Sequence, residues 1–235
     1  MKEQHSRTAM LIGESGVEKL NRAHVAVFGV GGVGGYAVEA LARAGIGKIT
    51  LVDSDRVAES NINRQIIATH NTVGQYKTEA MRDHISSINP DCEVICRSVF
   101  FDENTKADFD FSEYNYVVDA IDSLSAKLEL IASAKEKNTP IISAMGAGNK
   151  LDPTAFEVSD IAKTTVCPLA RAVRLGLRKR GINHLKVVYS KEDPVVKNNT
   201  DENGNRVPAS ISFVPSVIGL IIAGEANKDI SLSDK

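Results

Sequence analysis

Four glycines in Gly29-Val30-Gly31-Gly32-Val33-Gly34 have the GxGxxG spacing that receives a phosphate. Backbone N–H groups at the opening of a helix point at an anion there, and the helix dipole favours it. Asp53 follows about 20 residues later, where a carboxylate accepts hydrogen bonds from ribose hydroxyls. This pair of signals suits NAD as well as ATP; the bland alternative is that the glycines only allow close helix-to-strand packing and Asp53 only caps a turn. The next stretch separates the nucleotides. Asp53-Ser54-Asp55, Asn61-Ile62-Asn63-Arg64-Gln65 and Gly74-Gln75-Tyr76-Lys77 put an arginine and a lysine just beyond the ribose acid. A hydride-transfer site has no evident use for them, whereas the β- and γ-phosphates of a triphosphate need a guanidinium fork and an ammonium point charge. On residue type alone, solvated surface charges are the more ordinary reading of both. Val117-Val118-Asp119-Ala120-Ile121-Asp122-Ser123 then reads as a buried strand running into two acids at its C-terminal end, where open α/β sheets bind ligands. Asp122 is a candidate Mg²⁺ carboxylate or, equally, the N-cap of the next helix.

The elements that must hold these residues are legible as apolar, β-branched runs alternating with helical patterns, the signature of βαβ units on a parallel sheet. Strands are predicted over 25–28, 48–52, 93–99, 116–119 and 140–144, and helices over 16–22, 33–44, 77–88 and 125–137. Beyond Gly148 the pattern changes to strands over 155–158 and 185–189, a helix over 169–180, a polar loop from Asn198 to Arg206, and a buried helix over 215–226. The expected fold is α/β, doubly wound and mostly parallel, Rossmann-like. Its C-terminal strands extend the same sheet, so that residues 1–150 form a nucleotide-binding core and 151–235 an extension of one domain.

Composition sets outer bounds. The 235 residues are 43% hydrophobic and 25% charged, with 28 Lys and Arg against 30 Asp and Glu, the balance of a globular protein that needs no disulfide scaffold. Three cysteines, Cys92, Cys96 and Cys167, form no CxxC pair, so a four-cysteine zinc site is not expected and a reducing compartment, the cytoplasm, is. The first ten residues lack an apolar signal core, and the apolar stretch Val217 to Ala223 is far short of the ~20 residues of a bilayer span. Neither secretion nor a membrane anchor is expected.

Taken in order, GVGGVG, DSD, NINRQ, VGQYK and DAIDS resemble the ubiquitin-activating-enzyme-like adenylating superfamily, of the ThiF, MoeB and HesA type, over Arg7 to about Met145. That resemblance implies ATP binding and adenylation of a carboxylate. It places the nucleotide on the glycine loop (Gly29, Gly31, Gly32, Gly34) and on Asp53, Asp55, Asn61, Arg64, Gln65 and Lys77. It also implies a magnesium ion on Asp122, catalytic roles for Arg64, Lys77 and Asp122, and an Arg7 that reaches into the site of a partner protomer. Members that charge sulfur-carrier proteins usually carry a double CxxC zinc site, absent here. The stretches Ala144 to Thr154, Asp160 to Thr164 and the surroundings of Pro168 look instead like the branch that dehydrates threonylcarbamoyladenosine in tRNA, next to the anticodon. Its known members are homodimers using ATP and Mg²⁺. The implied reaction cyclises the threonylcarbamoyl group through an acyl adenylate, closing the ring without a cysteine nucleophile, so Cys167 is expected to be a core or loop thiol. The alternative is adenylation of the C-terminal glycine of a ubiquitin-like or sulfur-carrier protein.

Local charge bears on an RNA substrate. From Lys163 to Lys191 there are eight basic residues and no acid. That segment carries +8 and, against a total of −2, leaves −10 for the rest (−2 − 8). On the predicted helix, Arg171, Arg174 and Arg178 share a face opposite Leu169, Val173 and Leu177. With Lys179 and Lys186 they form a candidate phosphate-neutralising surface; a solvated helix face is the bland alternative.

Overall fold

The structure, a computed structural model, describes residues 2–196, 199–200 and 207–233. Seven strands form one sheet in the order β3-β2-β1-β4-β5-β7-β6. The strands are β1 (His24–Phe28), β2 (Lys48–Val52), β3 (Glu93–Arg97), β4 (Tyr116–Asp119), β5 (Ile141–Ala144), β6 (Phe156–Asp160) and β7 (Lys186–Ser190). All neighbours are parallel except the edge pair β6 and β7. Strands covered on both faces read as continuous apolar runs, and β1 and β4 are buried throughout. The C-terminal strands do extend the sheet, joining it beside β5.

Register is what aligns the site. Phe28 lies opposite both Val52 and Asp119, so β1, β2 and β4 end level and deliver Gly29, Asp53 and Ala120 side by side. Gly29 N–H donates to Val52 O and Ala120 N–H to Phe28 O, each at 2.8 Å, extending the ladder one step past the strands.

The helices are α1 (Ser6–Arg22), α2 (Gly34–Ala44), α3 (Lys77–Ile88), α4 (Leu124–Glu136), α5 (Pro168–Lys179) and α6 (Phe213–Ser231). One face of the sheet packs against Leu20, Leu41, Met81, Ile85, Ile218 and Ile222 from α1, α2, α3 and α6. The other packs against Leu130 and Ile131 of α4, Val173 and Leu177 of α5, and a knot of Phe28, Phe101, Phe109 and Phe111.

Three elements differ from expectation. Helix α1 starts ten residues earlier than the predicted Gly16 (Ser6 rather than residue 16) and breaks at Gly13, whose φ of 80° only glycine adopts freely. Its first half leaves Met10 and Leu11 83% and 87% exposed, so burial periodicity could not announce it. Strand β3 stops two residues short of Val99, which turns into the cavity described below. Helix α6 runs past the predicted 215–226 at both ends, and of its apolar residues Phe213 and Leu220 are exposed. The polar loop expected over Asn198 to Arg206 lies outside the described residues except at 199–200. Among the described residues, no helix is long and apolar enough to cross a membrane.

Candidate active site

A cavity of about 740 Å³ opens at the carboxyl ends of β2, β1, β4 and β5. Its first wall is the glycine loop, where each glycine does something different. Gly29 makes the turn off β1 with φ +89°; a Cβ there would lie 2.6 Å from Ala120 O. At Gly34 a Cβ would meet Gly29 O at 1.7 Å, so the helix can start against the strand only with glycine. Gly31 has open space where a side chain would be, its nearest neighbour being Gln65 Nε2 at 3.8 Å. Gly31 and Gly32 therefore line the cavity just before α2 opens, where the dipole of the helix favours an anion.

Beside the loop, Asp53 braces the turn. Its Oδ2 accepts from Val30 N–H at 2.7 Å and its Oδ1 from Asp55 N–H at 2.8 Å. Burial pushes the Asp53 carboxyl up, while Lys77 and those two N–H groups pull it down. Each oxygen keeps a further lone pair for ribose hydroxyls. Lys77, buried at the start of α3, donates to Asp55 Oδ2 at 2.6 Å. Arg64 Nη1 donates to Ser60 O and to Asn63 Oδ1, and Asn61 Oδ1 accepts from Ala58 N–H. Gln65 is buried, and its Oε1 has no hydrogen-bond partner. Leaving a buried acceptor unpaired costs ~1–3 kcal/mol, so this atom is open to a donor from a molecule in the cavity.

The two acids after β4 part company. Asp119 is fully buried and pairs with Lys127 Nζ at 2.8 Å, both side chains 0% exposed. It also accepts from Ser143 Oγ, its register partner on β5, and from Ile121 N–H. Lys127 Nζ bonds Ser143 Oγ and Ala144 O as well, which satisfies all three ammonium donors. Asp122 instead lines the cavity with no partner among the described residues. It does not cap α4; Ser123 occupies that position. A single free carboxylate suits Mg²⁺, which takes one or two carboxylates and completes its shell with phosphate oxygens and water. Among the described residues, no group of three or more His, Cys, Asp or Glu is placed to hold an ion by itself.

The opposite wall is the strip 144–150 leaving β5, with Cys167, Pro168 and Leu169 at the head of α5, and Pro208, Ser210 and Pro215. Asn149, with φ +62°, donates its N–H to Ala209 O and accepts Ala209 N–H on Oδ1, both at 2.8 Å. The Glu192 carboxylate accepts the N–H groups of Leu151 and Asp152. Pro215 packs where a Cβ on Gly32 would lie, at 3.2 Å.

Thus the cavity gathers Gly29, Gly31, Gly32, Asp53, Asp55, Asn61, Arg64, Gln65, Lys77 and Asp122 in one place; Gly34 supports it from behind. Arg7 is exposed on α1 and does not line it. Cys167 is buried, its Sγ accepting from Ala170 N–H at the N-cap of α5. Of the basic residues, Arg174 is clamped to Thr164 O, Thr164 Oγ1 and Ile161 O, and Lys186 is ion-paired with Glu225 and Asp229. Both are half-buried and engaged within the chain, unlike the expected free phosphate-binding side chains; Arg171, Arg178 and Lys179 are exposed and unpaired among the described residues. The buried face of α5 is Ala170, Val173 and Leu177; Leu169 turns to the cavity instead. Sequence reasoning missed Lys127, Lys150, Asn149 and Glu192. Only Lys127 left a signal, a lysine in helical phase with the apolar Leu130, Ile131 and Ala134.

A family model described as ThiF family matches residues 5–234. The chain belongs to the ThiF family. Among relatives, a tRNA threonylcarbamoyladenosine dehydratase of Bacillus subtilis is 44% identical over 98% of this chain and 95% of that protein. The Escherichia coli protein of that name is 43% identical over 75% of this chain and 66% of its own length. The crystal structure of the Escherichia coli tRNA N6-threonylcarbamoyladenosine dehydratase in complex with ATP superposes with a TM-score of 0.90 at 35% identity, covering 99% of this chain and 95% of that one. An AMP complex of the same enzyme gives 0.88 at 36% identity. A ThiF-family glycine loop at level strand ends, with cations and a free carboxylate around it, is an arrangement for activating a carboxylate with a nucleotide.

Proposed function

We propose that this chain is an ATP-dependent tRNA threonylcarbamoyladenosine dehydratase. The observation that carries the reading is the cavity itself, which sets a phosphate-receiving loop, a ribose acid and an unpaired Asp122 along one wall and a shaped, mostly apolar strip opposite. Full-length similarity to a dehydratase supports the choice of substrate.

The N–H groups opening α2 and the Arg64 guanidinium hold the phosphates, and Lys77, kept in place by Asp55, adds a positive charge. Gln65 and Asp53 hold the nucleoside. Mg²⁺ held at Asp122 would neutralise charge on the leaving pyrophosphate. A carboxylate oxygen of the threonyl group attacks the α-phosphorus, and pyrophosphate departs. The neighbouring carbamoyl group then attacks the activated carbonyl and gives up an N–H proton to solvent, AMP leaves with that oxygen, and the net result is loss of one water. Because the second step is intramolecular, no protein nucleophile is required; the walls exclude competing water.

The chain works as one adenylating unit, 1–150 carrying the nucleotide and 151–235 the RNA, in the cytoplasm and as a homodimer. The exposed Met10 and Leu11 of α1 offer such a pairing apolar side chains, and Arg7 on the same helix would enter the partner's site. The tRNA footprint is Arg171, Arg178 and Lys179. Reversing these three to Glu should weaken tRNA binding and flatten its salt dependence at unchanged ATP affinity.

The decisive test is mass spectrometry of nucleosides from threonylcarbamoyladenosine-bearing tRNA incubated with the protein, ATP and Mg²⁺. Loss of one water supports the reading, and an unchanged mass overturns it.

A further inference from the structure

Three lysines are buried among the described residues, Lys77, Lys127 and Lys150. The first two are paired with carboxylates, of Asp55 and Asp119. Lys150 is 6% exposed, lines the cavity, and forms no ion pair among the described residues; its Nζ donates to the backbone carbonyl of Glu192. An ammonium carries three donors, and a buried one without an anion is costly. The missing partner is an anion that enters with a ligand.

Topology says which anion. Along the carboxyl edge the cavity floor runs from Asp53 after β2, through the glycine loop after β1 and Asp122 after β4, to the strip after β5 that ends at Lys150. Nucleotide-binding groups occupy the first three positions. Lys150 stands at the far end, on the wall that faces the other reactant. Its loop is fixed on both sides, by Asn149 to Ala209 and by the Glu192 carboxylate to Leu151 and Asp152, so the charge is preorganised rather than recruited. A carboxylate approaching a triphosphate is repelled by it, and a cation beside the carboxylate offsets that repulsion.

We infer that Lys150 receives the carboxylate of the tRNA-borne substrate and presents it to the nucleotide. This rests on the dehydratase reading above. Wild-type protein should bind tRNA carrying threonylcarbamoyladenosine more tightly than the same tRNA with unmodified adenosine. Lys150→Met should erase about 30-fold of that preference or all of it if smaller, cut kcat/KM in parallel, and leave ATP affinity within about twofold. Lys150→Arg should restore part of the preference. Lys150→Gln serves if the apolar replacement lowers the urea midpoint. The inference is overturned by a Lys150→Met protein that keeps its preference, by one that loses ATP affinity as much as tRNA affinity, or by a wild-type protein that binds both tRNAs equally. A wild-type protein that prefers the modified tRNA but fails to dehydrate it would overturn the dehydratase reading and leave the carboxylate site standing.

Discussion

The two walls of the cavity are stabilised over different distances along the chain. In the nucleotide wall the side-chain contacts around the ribose acid join residues 22 and 23 apart, Lys77 with Asp55 and Val30 with Asp53. In the opposite wall they join residues 41 and 60 apart, Leu151 with Glu192 and Asn149 with Ala209. A wall built from neighbours in sequence leaves a motif; one built from distant backbone groups does not. The buried pair Asp119 and Lys127 belongs to both, since Asp119 holds Ile121 N–H just before Asp122, and Lys127 holds Ala144 O where the far strip begins.

If that pair is the joint between the walls, breaking it should have the largest effect. Asp119→Ala leaves Lys127 charged and buried, and should cost about 3–5 kcal/mol of stability in urea unfolding; a cost under about 1 kcal/mol would mean that the walls stand independently. Asp122→Ala removes a group that the fold does not use. Turnover should fall by about 100-fold or more while the thermal midpoint stays put; near-normal turnover would remove Asp122 from the metal role. Glu192→Ala loosens only the far wall, leaving two N–H groups without their carboxylate. A loss of about 10-fold in kcat/KM for tRNA with unchanged ATP affinity is expected, and a matching loss of ATP affinity would erase the distinction between walls.

The smallest effect lies outside both walls and serves as a control. Burial holds His24 and His5 below their ordinary value of 6.5, with Lys48 and Lys2 adding to it. The unfolded chain therefore binds more protons just below pH 6.5, so stability is complete above that pH and declines as pH falls further. A fall in thermal midpoint between pH 7 and pH 5 is expected, read by thermal unfolding at the two pH values. His24→Gln should remove part of it without touching ATP affinity.

The same distinction explains what could be read in advance. The mostly parallel α/β class follows from β-branched runs alternating with helices, and Gly29, Asp53, Arg64 and Lys77 stand out because each sits in a short motif. Asp122 was visible but ambiguous, and only the placement of Ser123 as the N-cap of α4 shows it free. Arg174 and Lys186 look in sequence like Arg171 and Lys179; their acceptors, Thr164 O and the acids Glu225 and Asp229, are fixed by packing alone. Lys150 is one lysine among many until its burial is known. The first half of helix α1 is not legible, because Met10 and Leu11 follow no buried face.

Helix α6 crosses the opening of α2 so closely that a Cβ on Gly219 would lie 2.3 Å from Val33 O. During synthesis the glycine loop leaves the ribosome roughly 180 residues before the helix that covers it, a wait of about 10–40 s at ~5–20 residues per second. For that interval α2 presents bare apolar surface to the cell, and the nucleotide site is among the last parts of the protein to be finished.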